Sequence, residues 1–330
     1  MLTLPAFEWV RPGSLDQLLA HLADHAAESL LVAGGTDAVP NLKHRLHEPR
    51  YLVDLRSLPE LRFVREQADG LHLGPLVTLD ALSREEIVRR DYPVLARAAA
   101  LVAGPQIRNM GTLGGNLCLD TRCTYYNQTY FWREALGFCL KKGGTVCHVV
   151  PTGKRCVAAH SSDVAPALIA LEAEVEIAGP RGRRTLAVEE FFVGDGVHNN
   201  VLAPGELVTR VFVPARSRGL AAGYQKLRPR AAIDFPMLSV AFAARLEGGV
   251  CRQARLVVSA IAARPRSISG VEAMVRDRPL DASLADALAE LAQRQCHPLI
   301  NVAYDAEYRR EMVPVYVRRA VREAAGEGPR

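Results

Sequence analysis

With 330 residues, 49% of them hydrophobic and 23% charged, the chain has the composition of a soluble globular protein long enough for two or three domains. The formal net charge of +5 comes from arginines scattered along the sequence, which argues against a nucleic-acid surface, since phosphate binding needs a concentrated basic face, although a basic surface also suits an acidic electron carrier. No apolar run reaches the roughly 18 residues that span a bilayer, and the start MLTLPAFEWVRPGS lacks a basic segment followed by an apolar one, so the expectation is a cytoplasmic protein without membrane contact.

In chain order, Phe7 to Val10 reads as a short strand, Ser14 as an N-cap, and Leu15, Leu18, Leu19 and Leu22 recur at helical spacing. A buried strand, Leu30 to Ala33, runs into Gly34-Gly35-Thr36-Asp37, followed by a helix from Pro40 and a strand over Tyr51 to Asp54. Asp69-Gly70 marks a hairpin turn between Leu61 to Val64 and Leu71 to Leu73. Helices are predicted around Leu79 to Arg90 and Val94 to Val102, and the stretch Gln106 to Asn116 is predicted to be an ordered turn, too rich in glycine and polar residues for a helix. Residues 118 to 158 show no clean periodicity, as expected of an insertion held by something other than an apolar core. Regular structure resumes with a helix over Asp163 to Leu171 and strands at Ala173 to Ile177, Val208 to Val213, Leu238 to Leu246 and Ala254 to Ala262, followed by helices.

Of seven cysteines, Cys118, Cys123, Cys139, Cys147 and Cys156 lie close together, whereas Cys251 and Cys296 stand alone and read as small buried hydrophobes. Without a secretion signal such a cluster points to metal binding or redox chemistry rather than to disulfides. Structural zinc usually shows C-x-x-C pairs, which this cluster lacks, so spacing alone favours neither zinc nor iron-sulfur. His148 reads as a loop hydrogen-bonding residue.

The loop Leu31, Val32, Ala33, Gly34, Gly35, Thr36, Asp37 and Ala38 has what a pyrophosphate site needs, because glycines after a strand let backbone N–H groups approach an anion unobstructed. A ligand-free strand-to-helix turn would use the same residues. The loop lacks both the G-x-G-x-x-G fingerprint and a P-loop lysine, which weakens nicotinamide and nucleoside-triphosphate readings. Thr112-Leu113-Gly114-Gly115-Asn116 repeats the chemistry downstream, and the two loops together could clasp one extended dinucleotide.

AGGTD at 33–37, QIRNMGTLGGN at 106–116 and SDVAPALIAL at 162–171 resemble the three FAD-binding segments of the medium flavoprotein subunits of xanthine dehydrogenase and carbon monoxide dehydrogenase. The resemblance extends to PGELVTRVFVP at 204–214, to Tyr224-Gln225-Lys226 and to AYDAEYRREMVPVYVRRA at 303–320. It implies an α+β fold: a two-lobed FAD-binding domain of the vanillyl-alcohol oxidase/p-cresol methylhydroxylase type, with lobes at 1–56 and 57–216, and a C-terminal α+β domain at 217–330. It further implies that residues 31–38 and Thr112, Gly114, Gly115 and Asn116 hold the FAD pyrophosphate and ribityl region, that Asp163 contacts the polar tail of the flavin, and that Lys226 lies close to the cofactor. A helix N-cap is the plain alternative for Asp163, an ordinary surface lysine for Lys226.

The departure from the common pattern is the insertion at 118–158. GNLCLDTRCTYYNQ, with Cys123, Cys139, Cys147 and Cys156, resembles the beta subunit of 4-hydroxybenzoyl-CoA reductase, whose extra 4Fe-4S cluster sits on such a loop. A cubane needs four thiolates; Cys118, two residues beyond Asn116, is set aside as held against the flavin loop. The resemblance implies a complex with a molybdenum-cofactor large subunit, a 2Fe-2S small subunit and ferredoxin as electron donor, the substrate site lying on another subunit and no catalytic residue on this one. The alternatives are the flavin subunit of a related molybdenum hydroxylase with another aromatic or heterocyclic substrate, and a structural scaffold stapled by zinc.

Overall fold

The computed structural model describes residues 2–327. Among the described residues, three sheets organise the chain. The first is parallel, in the order β1 (Glu8–Val10), β3 (Tyr51–Asp54), β2 (Ser29–Val32). Parallel neighbours need crossover connections, and the helix Leu15–His25 and the helix Ala38–Lys43 supply them. The Ser14 hydroxyl caps the first by accepting from Gln17 N at 3.2 Å, and Leu15, Leu18 and Leu22 bury its apolar stripe.

The second sheet is antiparallel, ordered β4 (Val64–Gln67), β5 (Gly70–Leu73), β8 (Leu207–Pro214), β6 (Glu174–Gly179), β7 (Gly182–Ala187). The hairpin at Asp69-Gly70 forms as predicted, but its first strand starts only at Val64, because Pro59 opens a 3-10 turn over Pro59–Leu61. β7 has no counterpart in the sequence reading: GRRTLA is a largely exposed edge strand with little apolar patterning to betray it. Between β5 and β6 lie short helices and the cysteine-rich insertion. The predicted helix Leu79 to Arg90 breaks at Glu85 into Leu79–Arg84 and Glu86–Asp91.

The third sheet runs β9 (Ala221–Leu227), β10 (Leu238–Glu247), β11 (Val250–Ser259), β12 (Arg266–Ser267), with β13 (Arg278–Pro279) also on β11. The helices Ala282–Gln295 and Ala306–Ala324 cover it. Buried Arg309 stitches this unit together, donating to the carbonyls of Met237 and Leu299 at 2.8 Å and to that of Ala260. Its partner Asn301 donates to Val157 O and accepts from Thr124 N through its own carbonyl, which anchors both ends of the insertion.

His160, at the exit of the insertion, is fully buried against Phe192, with Nδ1 3.2 Å from Ser259 Oγ and Nε2 without a partner. Burial lowers its pKa to about 3 from an ordinary 6.5. The folded state therefore refuses a proton that the unfolded chain takes up. Stability is complete above the unfolded value and is lost as pH falls from 6.5 toward about 3, by up to about 5 kcal/mol at 1.36 kcal/mol per unit. Denaturant unfolding across that window is expected to show the loss, and His160→Gln to flatten it.

Among the described residues, no helix is long and apolar enough to cross a membrane.

Candidate functional site

The loop after β2 and the loop before Asn116 meet at backbone distance. A Cβ built on Gly34 would stand 1.9 Å from the Met110 carbonyl oxygen and 3.0 Å from Gly111 N, so only glycine permits the approach. The stretch predicted as an ordered turn is instead two short helices, Pro105–Met110 and Leu113–Leu117, hinged at Gly111-Thr112. Pro105 sets the backbone angle of the first, and the Thr112 hydroxyl caps the second by accepting from Gly115 N at 3.1 Å, which offsets the glycine content.

Between these loops lies a cavity of about 490 Å³, inside the range of small-molecule sites. Leu31 through Ala38 line it in an unbroken run, with Thr112, Gly115, Asn116 and Asp163. Two expected residues sit back from it. Gly114 packs on Pro75, where a Cβ would come within 2.6 Å of the proline ring. Lys226, on β9, reaches the site through Asp163: its Nζ donates to Asp163 Oδ2 at 2.8 Å and to Leu101 O at 3.1 Å. The pair is buried, with 1% of the lysine side chain and 3% of the aspartate side chain exposed, so the surface-lysine alternative is excluded.

Tyr224 OH donates to the other carboxylate oxygen at 2.8 Å. Burial pushes the Asp163 carboxyl above its ordinary value, while Lys226, Tyr224 and Arg228 pull it back. The side chain of Asp163 caps no helix. Ser162 does so, accepting from Ala165 N, and Asn116 Oδ1 accepts from Ser162 Oγ at 2.8 Å and from Val164 N at 3.2 Å, locking the second glycine loop to the third segment.

Residues that the motifs did not single out complete the cavity, notably His47, Asp120, Asn199 and the Ile233–Phe235 stretch after β9. Arg122, inside the insertion, pairs with Asp37 and stacks over Phe235 at 4.3 Å, joining the first glycine loop to that stretch. Burial lowers its pKa to about 10. Its only sequence signal was the position beside Cys123.

The insertion is nearly free of regular structure, with one short helix, Tyr130–Ala135. Its four expected thiols converge nonetheless: Cys123, Cys139, Cys147 and Cys156 line one small cavity with Tyr126, Lys141 and His148. Tight local turns aim them there. Cys139 heads a turn closed by Lys142 N and Gly144 N on its carbonyl, and Cys156 packs where a Cβ on Gly196 would approach its sulfur to 2.8 Å.

All seven cysteines are free, and Cys251 and Cys296 are buried in the third sheet's core. Cys118 lines the larger cavity instead, where burial pushes its thiol up to about 12. His148 Nε2 lies 2.5 Å from Phe138 O, occupied as a loop hydrogen-bonding residue. Among the described residues, no three His, Cys, Asp or Glu side chains are drawn into a closed metal-holding group. The donor set is four thiols around one space, the chemistry a thiolate-ligated cluster uses.

A family model described as the FAD binding domain in molybdopterin dehydrogenase matches residues 5–216, and one described as the CO dehydrogenase flavoprotein C-terminal domain matches residues 222–324. The chain is 28% identical over 321 residues to the carbon monoxide dehydrogenase medium chain of Hydrogenophaga pseudoflava, covering 97% of each. It is 34% identical over 253 residues to the aldehyde oxidoreductase FAD-binding subunit of Escherichia coli strain K12, covering 74% of this chain and 78% of that protein. The solved structure of carbon monoxide dehydrogenase from Hydrogenophaga pseudoflava lacking the Mo-pyranopterin moiety superposes with a TM-score of 0.80 at 27% identity, covering 98% of this chain and 99% of that one.

Proposed function

Because this chain belongs to the FAD-binding family of the molybdopterin dehydrogenases, we propose that it is the electron-entry subunit of a molybdenum enzyme, carrying a 4Fe-4S cluster on its insertion beside the family's FAD. In this reading its partners are a molybdenum-cofactor large subunit and a 2Fe-2S small subunit, and reduced ferredoxin is the donor. The net reaction, on the large subunit, is the reductive dehydroxylation of 4-hydroxybenzoyl-CoA: two electrons and two protons convert it to benzoyl-CoA and water.

The observation that carries the reading is the convergence of Cys123, Cys139, Cys147 and Cys156 on one cavity while Cys118 is left out. FAD stores two electrons and releases them singly, which makes a one-electron centre on the same chain useful to a one-electron donor. The chain's own residues hold and shape: the 31–38 backbone and Thr112, Gly115 and Asn116 cradle the dinucleotide, the Lys226–Asp163 pair fixes charge at the cavity wall, and the thiols bind iron.

A second reading keeps the flavin role and changes the substrate. The names of the similar proteins, carbon monoxide dehydrogenase and aldehyde oxidoreductase, span different substrates on this same subunit type, which supports a related hydroxylase equally well.

An anaerobic ultraviolet-visible spectrum with iron, sulfide and zinc analysis tests the proposal. About four irons and four sulfides per chain alongside flavin support electron entry through a cluster. Flavin without iron leaves a plain hydroxylase flavoprotein, and zinc in place of iron makes the insertion a stapled scaffold. Cys147→Ala is expected to lose the iron and keep the flavin, and Cys118→Ala to keep the iron.

A further inference from the structure

The two cavities share one ion pair. Lys141 lies in the turn that follows Cys139, and only 5% of its side chain is exposed. Its Nζ donates to Asp120 Oδ1 at 2.6 Å and to Thr121 Oγ1 at 2.5 Å, and sits 4.3 Å over the Tyr126 ring. Lys141 and Tyr126 line the thiol cavity, and Asp120 lines the flavin cavity. Thr121 continues the connection, donating to Gly196 O, whose own N–H donates to Cys156 O.

A buried lysine is costly unless something compensates it; the Asp120 carboxylate opposite this one is partly exposed, and the lysine's other acceptors, the Thr121 hydroxyl, the Thr121 carbonyl at 3.3 Å and the ring face, are neutral. Its position suggests a further partner. Four thiolates around iron and sulfide carry net negative charge, and one more electron makes that charge larger without forming or breaking a covalent bond. A fixed cation at the cavity wall favours the reduced form, because charges separated by low-dielectric protein are weakly screened.

We propose that Lys141 is the charge-compensating residue of the thiol cavity, a positioning group that raises the reduction potential of the cluster held there and, through Asp120, links it electrostatically to the flavin cavity. The inference rests on the cluster reading above. Lys141 touches neither reacting centre and transfers no proton; it acts through its charge, which the Asp120 carboxylate partly offsets. Removing the cation and removing the anion should therefore shift the potential in opposite directions, a signature that a merely structural role would not give.

The test is a redox titration of the purified protein followed by electron paramagnetic resonance, with iron, sulfide and flavin contents measured in parallel. Lys141→Met is expected to lower the cluster midpoint by about 59 mV or more, a tenfold loss in the one-electron reduction equilibrium. Lys141→Arg should restore it, Asp120→Asn should raise it, and Lys142→Met, at the exposed neighbouring position, should leave it unchanged. An unchanged midpoint in Lys141→Met, or a downward shift in Asp120→Asn, overturns the proposal. If Lys141→Met fails to retain iron, the sign of the Asp120→Asn shift decides by itself. Wild-type protein without iron overturns the cluster reading before any variant is made, so the two failures are distinguishable.

Discussion

Gly34→Ala is expected to purify almost free of flavin. The added methyl group would stand 1.9 Å from the Met110 carbonyl oxygen and 2.5 Å from its carbon, and both are backbone atoms that no rotamer change can move aside. The first glycine loop must then withdraw from the second by more than an ångström, which opens the cradle formed by 31–38 and 112–116. Overpacking of this kind costs about 1–3 kcal/mol, and because each 1.4 kcal/mol is tenfold in affinity, flavin binding should weaken by about one to two orders of magnitude. Gly35→Ala is the informative comparison. Gly35 has a φ of +71°, so alanine there meets conformational strain, but its Cβ would come no closer than 3.3 Å, to a Val39 methyl that can shift. It should retain more flavin than Gly34→Ala. The flavin-to-protein absorbance ratio of the two variants, followed by FAD titration of the stripped proteins, separates the cases; equal retention would mean that the loop contact does not shape the site.

Lys226→Met is expected to destabilise the fold by about 3–5 kcal/mol, the usual cost of leaving one member of a buried ion pair alone, and to lower the thermal midpoint by on the order of 5–10 °C. Asp163 would keep its bond from Tyr224 and lose the cation 2.8 Å away, with only 3% of its side chain exposed. The pair also spans elements, Lys226 on β9 and Asp163 ahead of the helix Val164–Ala170, so the loss loosens the third sheet from the flavin-binding part. Asp163→Asn combined with Lys226→Met should recover part of the loss, since no charge then remains stranded.

The pH dependence carries a definite sign. Burial already holds the Asp163 carboxyl above 3.8, so the folded state binds this proton more tightly than the unfolded one. Its contribution is least unfavourable below 3.8 and worsens as pH rises to the folded value. Removing Lys226 raises that folded value further. The deficit of Lys226→Met against the wild type should therefore narrow in acid, as measured by denaturant midpoints at neutral and acidic pH; a deficit that stays constant would show that the lysine's role is packing alone.

Local chemistry settled much of this protein in advance. Ser14 caps a helix because its hydroxyl reaches an amide three residues on, Asp69-Gly70 turns a hairpin, and the 3.6-residue recurrence of Leu15, Leu18 and Leu22 needs a core to face. The run 31–38 on its own allowed either a ligand loop or a plain strand-to-helix turn, and only its pairing with a second glycine loop favoured a ligand, while the missing periodicity of 118–158 marked the insertion.

Tertiary contacts decided the rest. Pro105 and the Thr112 cap made helices of a stretch whose glycines argued for a turn, and Gly114 was spent against Pro75 rather than on the cavity. Lys226 and Asp163, 63 residues apart, became one buried pair. Arg122 and Lys141 acquired their partners only when the insertion folded back over the glycine loop and the thiols. Sequence patterns report forces that act between near neighbours on the chain, whereas pairing a buried charge depends on which distant segment the folded sheets bring to its side.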